Sequence, residues 1–201
     1  MKKTVFVAIS VLASATLLAE GRFSPFGLSF THGERRGEAQ FPSSDDGVYG
    51  WRLAIVNGAH RDMVGLATAV LANDDAYANG YVGGLQVASI FNTAGKGELG
   101  IWQVAGVYNS VDDTANGFQV CAFYNELKQG YFNGLQIALC NKASVDFCGM
   151  QIGLYNDCDV ASGMQIGVYN QAKTLAGIQI GLLNCVTDSQ LIVFPVLRIG
   201  W

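Results

Sequence analysis

The residues that could carry out chemistry are few and lie far apart along the chain. The two histidines, His32 and His60, occur in separate loop-like stretches, with no HExxH or HxH pattern and no Asp or Ser at a useful spacing. The surface is therefore the expected place for both histidines. The sequence gives no positive evidence for a metal site, and it predicts no cofactor.

Five cysteines form an odd set without a CxxC pair: Cys121, Cys140, Cys148, Cys158 and Cys185. Export would allow oxidation, and one bridge, such as Cys148 with Cys158, is an option. However, several cysteines fill slots in which other copies of a repeat have Ala, Tyr or Gly. We therefore expect most of them to be small buried side chains. A cysteine nucleophile would need a nearby histidine, and neither histidine lies among these repeats.

Paired carboxylates are the usual catalytic groups of glycan-cleaving β-helices, where two of them face one substrate. Here the acidic residues fall in turns and do not recur on a strand face: Asp112, Asp113, Asp146, Asp157, Asp159 and Asp188. We expect them to be solvated turn residues, and we predict that the chain is not an enzyme. The net charge of −4 also argues against binding to nucleic acid.

The residues must be positioned by a repeat, which is clearest from Gly134 to Asn184 as G-[LMI]-Q-[IV]-G-[LV]-x-N. Successive glutamines are 17, 16, 17, 15, 14 and 14 residues apart, at Gln86, Gln103, Gln119, Gln136, Gln151, Gln165 and Gln179. Apolar side chains flank each Gln, and this period of two is typical of a strand with one buried face. The sequence predicts that the apolar residues at 150, 152 and 154 point inward, and that Gln151, Gly153 and Tyr155 point outward.

This orientation predicts a shallow trough of small residues between a row of Gln amides and a row of aromatic rings. The candidate ligand face consists of Gln151, Tyr155, Gln165, Tyr169, Tyr108 and Tyr124. Flat rings beside amides suit sugars or extended peptides, and their regular spacing suits a polymer such as a polysaccharide. The alternative is that the Gln and Tyr columns only stabilise the sheet.

The chain divides into four segments. Residues 1–19 are a predicted signal peptide, cleaved after Ala15 or Ala19, so the mature protein is expected to be exported. Residues 20–47 are a lead-in or cap, 48–190 a β-repeat domain of about nine repeats, and 191–201 a capping strand. The two faintest repeats carry Arg52 and Ala67 in the Gln slot.

These features predict an all-β protein built as a parallel β-solenoid of 14–17-residue repeats. Stacking of coils about 4.8 Å apart lets identical amides hydrogen-bond along the axis, which explains why the repeats share their residues. The predicted structural ladder is Asn92, Asn109, Asn125, Asn141, Asn156, Asn170 and Asn184. The alternative is a small antiparallel outer-membrane β-barrel with its aliphatic residues facing lipid, which the alternation of Leu197, Ile199 and Trp201 favours.

The repeat motif, the segment VYGWRLAIVNG followed by VGLATAVLAN, and the tail LIVFPVLRIGW resemble the bacterial surface-repeat family first described from leptospiral surface proteins. The resemblance covers Val48 to Trp201. It implies export and surface association, at the cell surface or in the outer membrane or periplasm, and it implies no catalytic activity.

The sequence therefore predicts an exported, non-enzymatic repeat protein of the cell envelope with a structural or adhesive role. Envelope components, a polysaccharide or another surface protein are the expected partners. Insertion into a membrane belongs only to the barrel alternative. A polysaccharide-binding or polysaccharide-acting β-helix is a third interpretation.

Overall fold

The structure is a computed structural model, and it describes residues 23–29, 40–42, 46–75, 81–95 and 97–201. The predicted signal peptide and His32 lie outside these residues. All regular structure in the described ranges is β-strand. A helix long and apolar enough to cross a membrane is not found among the described residues.

Seventeen strands make up the described fold. They are β1 (Phe23–Ser29), β2 (Gln40–Phe41), β3 (Gly47–Ala54), β4 (Asn57–Gly58), β5 (Asp62–Ala69), β6 (Ala72–Asp75), β7 (Val82–Ala88), β8 (Phe91–Ala94), β9 (Gly97–Ala105), β10 (Tyr108–Val111), β11 (Ala115–Val120), β12 (Tyr124–Leu127), β13 (Tyr131–Ile137), β14 (Cys140–Ile152), β15 (Tyr155–Ile166), β16 (Tyr169–Val186) and β17 (Val193–Gly200).

Successive repeats pair in parallel and in register. Gln136 lies beside Gln151, and Gln151 lies beside Gln165, with the flanking residues aligned in the same way. The chain thus forms a parallel β-solenoid of about eight turns, and the predicted fold class is confirmed. The antiparallel alternative is wrong, because antiparallel pairing in the described chain is confined to β1 with β2 and β16 with β17.

Each coil has two legs. The first carries the Gln and includes β3, β5, β7, β9, β11 and β13, whereas the second carries the Asn and includes β4, β6, β8, β10 and β12. In the shorter repeats the connection between coils is so tight that one strand, such as β14 or β15, contains the second leg of one coil and the first leg of the next.

The inward and outward faces of the first leg are the reverse of the prediction. Gln151 is completely buried, whereas Met150 and Ile152 are half-buried on the outside and Leu154 is exposed. Burial of a polar amide costs little when its hydrogen bonds are satisfied, and the axial ladder satisfies them. Apolar character alone therefore did not identify the inner face.

The interior has two amide columns and two apolar columns. Phe132 and Phe147 belong to one apolar column and stack with their ring centroids 5.6 Å apart. Cys158 and Ala172 belong to the other apolar column, beside the Asn column. Gly149 begins a first leg at a φ of 133°, where a Cβ would collide with the carbonyl oxygen of Gly134. Glycine at this point lets the coils stack closely.

A strand of different direction lies at each end of the solenoid. Near the start, β1 pairs in parallel with β3 and carries the short antiparallel strand β2. At the other end, β17 pairs antiparallel with β16, within the segment that the sequence predicted as a cap. Leu197 of β17 lies beside Ile180, and Ile199 lies beside Ile178, so β17 continues the outer columns of the first leg.

Candidate functional site

The outer surface of the first leg and the following corner is apolar along the repeat domain. We call this surface the aliphatic face, and it consists of three columns. The column before each Gln contains Leu85, Trp102, Phe118, Leu135, Met150, Met164 and Ile178. The column after each Gln contains Val87, Val104, Val120, Ile137, Ile152, Ile166 and Ile180. The corner column contains Val56, Leu71, Ile90, Val107, Phe123, Leu139, Leu154, Val168 and Leu182. All nine corner residues are exposed, including Leu154 at 55% and Leu182 at 67%.

The size of this face distinguishes it from ordinary surface. About eight stacked turns span roughly 40 Å, and the width of the first leg is roughly 20 Å, giving an area on the order of 800 Å². The largest apolar patch of a typical soluble monomer is about 300–600 Å². An apolar surface of this extent is typical of a contact site for another molecule.

A groove of about 580 Å³ runs along the aliphatic face near its C-terminal end. Its floor contains Ala138, Gly153, Gly167 and Gly181, and its sides are the aliphatic residues of the two adjacent columns. A Cβ at Gly167 would lie 2.5 Å from the carbonyl oxygen of Gly153, so the floor consists of closely stacked backbone. Val196 of β17 lies in register with Gly181 and lines the C-terminal end of the groove.

The chemistry of the groove is wholly apolar. Each of its lining side chains is aliphatic or absent, as in Leu154, Val168 and the floor glycines. Sites that recognise a polar ligand add a few placed hydrogen-bonding groups to such a lining. This groove can therefore provide shape and apolar contact, but it has no side chain that could orient a sugar.

The aromatic row of the predicted ligand face lies beside the corner column. The rings stack along the axis: Tyr155 on Tyr169 with centroids 5.3 Å apart and planes at 1°, and Tyr108 on Tyr124 at 5.7 Å and 8°. In each of these pairs the stacking covers one face of both rings, and Cys140 lies in register between Tyr124 and Tyr155. A sugar that packs against an aromatic face would find few such faces here.

Burial keeps the phenols of this row neutral, and the hydroxyl groups of Tyr108 and Tyr169 donate hydrogen bonds to side chains. Burial raises the pKa of Tyr124 to about 12, and it raises the pKa values of Tyr108, Tyr155 and Tyr169 as well. The Tyr108 hydroxyl donates to Glu126 Oε2 at 2.7 Å. Such contacts fix the tyrosines as part of the sheet surface.

The glutamines of the predicted ligand face are inside the solenoid. Gln165 donates to Gln151 at 2.8 Å and accepts from Gln179 at 2.7 Å, and Gln151 donates to Gln136 at 2.8 Å. Gln151 and Gln165 are therefore unable to contact a ligand on the outer surface, and the predicted trough between Gln and Tyr rows is wrong. The column of small residues does form a groove, but its walls are aliphatic.

The asparagines form a second ladder inside the corner. Asn141 Nδ2 donates to Asn156 Oδ1 at 2.9 Å, Asn156 to Asn170 at 2.8 Å, and Asn170 to Asn184 at 2.8 Å. The same amides donate to backbone carbonyl groups, as Asn156 does to Ile166 at 2.9 Å. The ladder continues back through Asn125, Asn109 and Asn92 to Asn73.

A buried ionic cluster lies at the N-terminal end of both ladders. Arg52 occupies the Gln slot of the first full coil and is completely buried. Its guanidinium donates to both carboxylate oxygens of Asp75, with one distance of 2.7 Å, and to Asn73 Oδ1 at 2.8 Å. Gln86 also donates to Asp75, at 2.8 Å. Ala67 in the intervening Gln slot has no long side chain, so Arg52 can reach the next coil.

His60 belongs to this cluster, so its predicted surface position is wrong. Its backbone N–H donates to Asp75 Oδ1 at 2.9 Å, and its ring lies 3.3 Å from both Arg52 Nη1 and the Pro42 carbonyl oxygen. Burial, with Arg52 second, lowers the pKa of His60 to about 4. The sequence signal was the Arg in a Gln slot, since a buried cation requires a buried anion nearby.

The five cysteines are free thiols. Cys121, Cys158 and Cys185 are buried, whereas Cys148 is exposed. Burial raises the pKa values of Cys121 and Cys158. A raised pKa keeps the thiol protonated, which makes it a poor nucleophile.

The acidic residues of the turns do not converge on one point. Burial raises the pKa of Asp157, and Lys142 partly opposes this effect. Asp112 pairs with Lys128 at 2.7 Å, and Asp159 pairs with Lys173 at 2.9 Å. Across the described ranges, no group of three or more His, Cys, Asp or Glu side chains could hold a metal ion.

The aliphatic face is therefore the candidate functional site of this chain. Comparison with known proteins found no matching family model, no matching curated protein and no matching solved structure.

Proposed function

We propose that this chain is an exported, non-enzymatic repeat protein of the cell envelope, and that the aliphatic face is its structural or adhesive contact surface. One observation carries the proposal: the outer columns are apolar from the coil of Gln86 to the coil of Gln179, while the polar amides are inside. Solvated apolar area of this size is unfavourable for an isolated protein at about 25 cal/mol per Å². Contact with an apolar partner removes this cost.

The reactive side chains support a role without catalysis. His60 is enclosed by Arg52 and Asp75 and is not accessible to a substrate. The thiols of Cys121 and Cys158 are buried and protonated. Neither arrangement supplies an exposed nucleophile beside a base, which covalent catalysis requires.

Export and surface association are proposed from the sequence. The lysines and apolar run of residues 1–19 have the pattern of a signal peptide, and the repeat motif resembles that of bacterial surface-repeat proteins. An exported solenoid with one apolar side suits attachment to an envelope component or to another surface protein. A rigid rod would present the same contact at every coil.

The proposal is tested by adding charge to the aliphatic face. The full chain and its Leu154→Lys, Val168→Lys double variant would be produced in a diderm bacterium, and the cells fractionated into soluble and envelope material. Both substituted side chains are exposed, so the fold should tolerate lysine at these positions. We expect the variant to move from the envelope to the soluble fraction, and the purified variant to bind much less of an apolar fluorescent dye.

A matched control carries the same two added charges in the same part of the solenoid. Gln171 and Thr174 lie outside the aliphatic face, and Gln171→Lys with Thr174→Lys should leave envelope association and dye binding unchanged. Circular dichroism would establish that all three proteins are folded. Equal envelope association of the face variant and the parent chain would reject the aliphatic face as the contact surface.

A further inference from the structure

In the described part of the chain, the last strand, β17, has an open edge. One side of β17 is hydrogen-bonded to β16, from Gly177 beside Gly200 to Cys185 beside Val193. Among the described strands, β16 is the one that pairs in register with β17. An open edge offers a row of backbone N–H and C=O groups, which is a template for pairing with another strand.

The protections that sheet edges usually carry are sparse here. Natural edge strands are blunted by lysines, by prolines or by a covering segment. In β17, Pro195 and the register shift opposite Gly181 and Asn184 protect only the beginning of the strand, and Arg198 is the single charged residue between Val193 and Gly200. From Val196 to Gly200 the strand continues the ladder with β16 residue by residue.

The side chains around this edge are mostly apolar and exposed. They are Leu182, Leu183, Leu191, Ile192, Val193, Phe194, Val196, Leu197 and Ile199. Together they expose an area on the order of 800 Å². One partner of a standard protein–protein interface buries about 800 Å². Leu183, Leu191, Ile192, Val193 and Phe194 lie outside the aliphatic face and supply apolar area that a second copy can cover, whereas Leu182, Leu197 and Ile199 stay on the outer face.

We propose that two copies of this chain associate tail to tail, by antiparallel pairing of β17 with β17. Antiparallel pairing about a two-fold axis is self-complementary, because each strand offers the other the groups that it receives. A register centred on Ile199 places the two isoleucines opposite each other and each Arg198 opposite a glycine. Like charges are then not directly paired across the interface.

The dimer would double the contact surface. A two-fold axis perpendicular to the sheet keeps the outer faces of both copies on the same side. Leu197 and Ile199 already continue the outer columns of β16, so the two aliphatic faces would join across the pairing. This consequence rests on the proposed function, whereas the pairing of β17 does not, and simultaneous engagement of both faces would strengthen attachment.

The test measures the mass of the full chain in solution by light scattering and analytical ultracentrifugation. Protein concentrations up to about 100 µM would populate a dimer whose dissociation constant is in the micromolar range. The parent chain should have twice the mass of one chain. Ile199→Lys and Ile199→Glu each place like charges opposite each other, and each should raise the dissociation constant of the dimer at least tenfold. An equimolar mixture of the two variants pairs opposite charges and should recover the dimer.

A monomeric parent chain, a dimer that tolerates Ile199→Lys, or a mixture that stays monomeric would each overturn the proposal. Ile199 is 57% exposed, so its variants should fold, and circular dichroism checks this. The Leu154→Lys, Val168→Lys variant should remain dimeric. Loss of the dimer in that variant would instead indicate association through the aliphatic face. Envelope association of the same variant is measured separately, so failure of the proposed function and failure of the proposed dimer are distinguishable.

Discussion

The Arg52 guanidinium and the Asp75 carboxylate form a buried ion pair at which both amide ladders end. In the Gln ladder each Nε2 donates toward the N-terminal end, and the last donor, Gln86, reaches Asp75. In the Asn ladder each Nδ2 donates toward the C-terminal end, and the first acceptor, Asn73, receives from Arg52. The two ladders therefore run in opposite directions. The Asp75 carboxylate accepts the last hydrogen bond of the Gln ladder, and the Arg52 guanidinium donates the first hydrogen bond of the Asn ladder.

Replacement of Arg52 should be among the most damaging single changes in the chain. Arg52→Leu leaves the Asp75 carboxylate buried without its cation, which typically costs about 3–5 kcal/mol of unfolding free energy. Adding Asp75→Asn removes the stranded charge but keeps an acceptor for Gln86, so the double variant should recover at least half of that loss. Equilibrium unfolding in urea, followed by the fluorescence of nearby Trp51, measures both changes.

The exposed Lys128 and Asp112 pair provides the control for this experiment. Its atoms are 2.7 Å apart, but both side chains are more than one third exposed. Lys128→Leu should change the unfolding free energy by no more than about 0.5 kcal/mol, since solvent screens such pairs. A similar loss in Arg52→Leu and Lys128→Leu would contradict the role given to the buried pair.

The direction of the Gln ladder predicts that its members are not equivalent. Gln151→Leu leaves Gln136 Oε1 and one N–H of Gln165 without partners, at about 1–3 kcal/mol for each unpaired group. Gln179→Leu unpairs Gln165 Oε1 and removes a long hydrogen bond to the Cys185 carbonyl oxygen at 3.4 Å. It also removes the Gln179 Oε1, which is buried and has no partner. Gln151→Leu should therefore be the more destabilising by about 1–2 kcal/mol in urea titrations. The opposite order would mean that the donors do not run toward the N-terminal end.

The fold was predictable because the repeat is in register. Stacked parallel coils place identical residues side by side, so Gln and Asn amides can hydrogen-bond to their own kind along the axis. Antiparallel pairing does not align identical positions of successive repeats, so it would not favour the same residue in every copy. The inner face was not predictable from hydropathy, because the alternation of Met150, Gln151 and Ile152 is the same whichever side is buried. What decides it is the ladder, in which the inner amides of neighbouring coils hydrogen-bond to one another while the aliphatic residues stay outside.

The buried cluster was hidden for a different reason. Arg52, His60 and Asp75 occur in three separate elements, and nothing in their spacing matches a known motif. The departure of Arg52 and Ala67 from the Gln column marked the place. Arg52 in an inner position, next to the small Ala67, indicates a buried cation with space beside it. A buried cation requires an anion, so the sequence could have prompted a search for a carboxylate one coil later.

His60 should make stability depend on pH. Its pKa of about 4 in the folded protein lies below the ordinary 6.5, because burial and Arg52 disfavour the imidazolium, although Asp75 opposes them. The folded state thus binds fewer protons than the unfolded state between these values. The stabilising contribution is complete above pH 6.5 and is lost as pH falls through about 4. From pH 7 to pH 4.5 the loss should be about 2 kcal/mol.

Carboxylates also titrate in this range, so the effect is measured as a difference. His60→Gln lacks the titrating ring, and the gap in unfolding free energy between the parent chain and this variant should narrow by about 2 kcal/mol on acidification. Urea unfolding at half-unit pH intervals measures the gap. A gap that stays constant between pH 7 and 4.5 would show that His60 is not protected from protonation.

Thiol reactivity tests which side of the solenoid is inside. Cys148 is exposed on the outside, whereas Cys158, ten residues later, is buried, with its sulfur 3.4 Å from Gln165 Nε2. Burial also raises the pKa of Cys158, so both access and thiolate formation are suppressed there. We expect Cys148 to be alkylated first in the native protein, and Cys158 at least 100-fold more slowly.

Mass spectrometry of peptides after timed alkylation measures each site, and unfolding in guanidinium should make the rates similar. Because Cys158 lies on the same side as the glutamines, rapid alkylation of Cys158 in the native protein would place the Gln ladder at the surface and return the aliphatic columns to the interior.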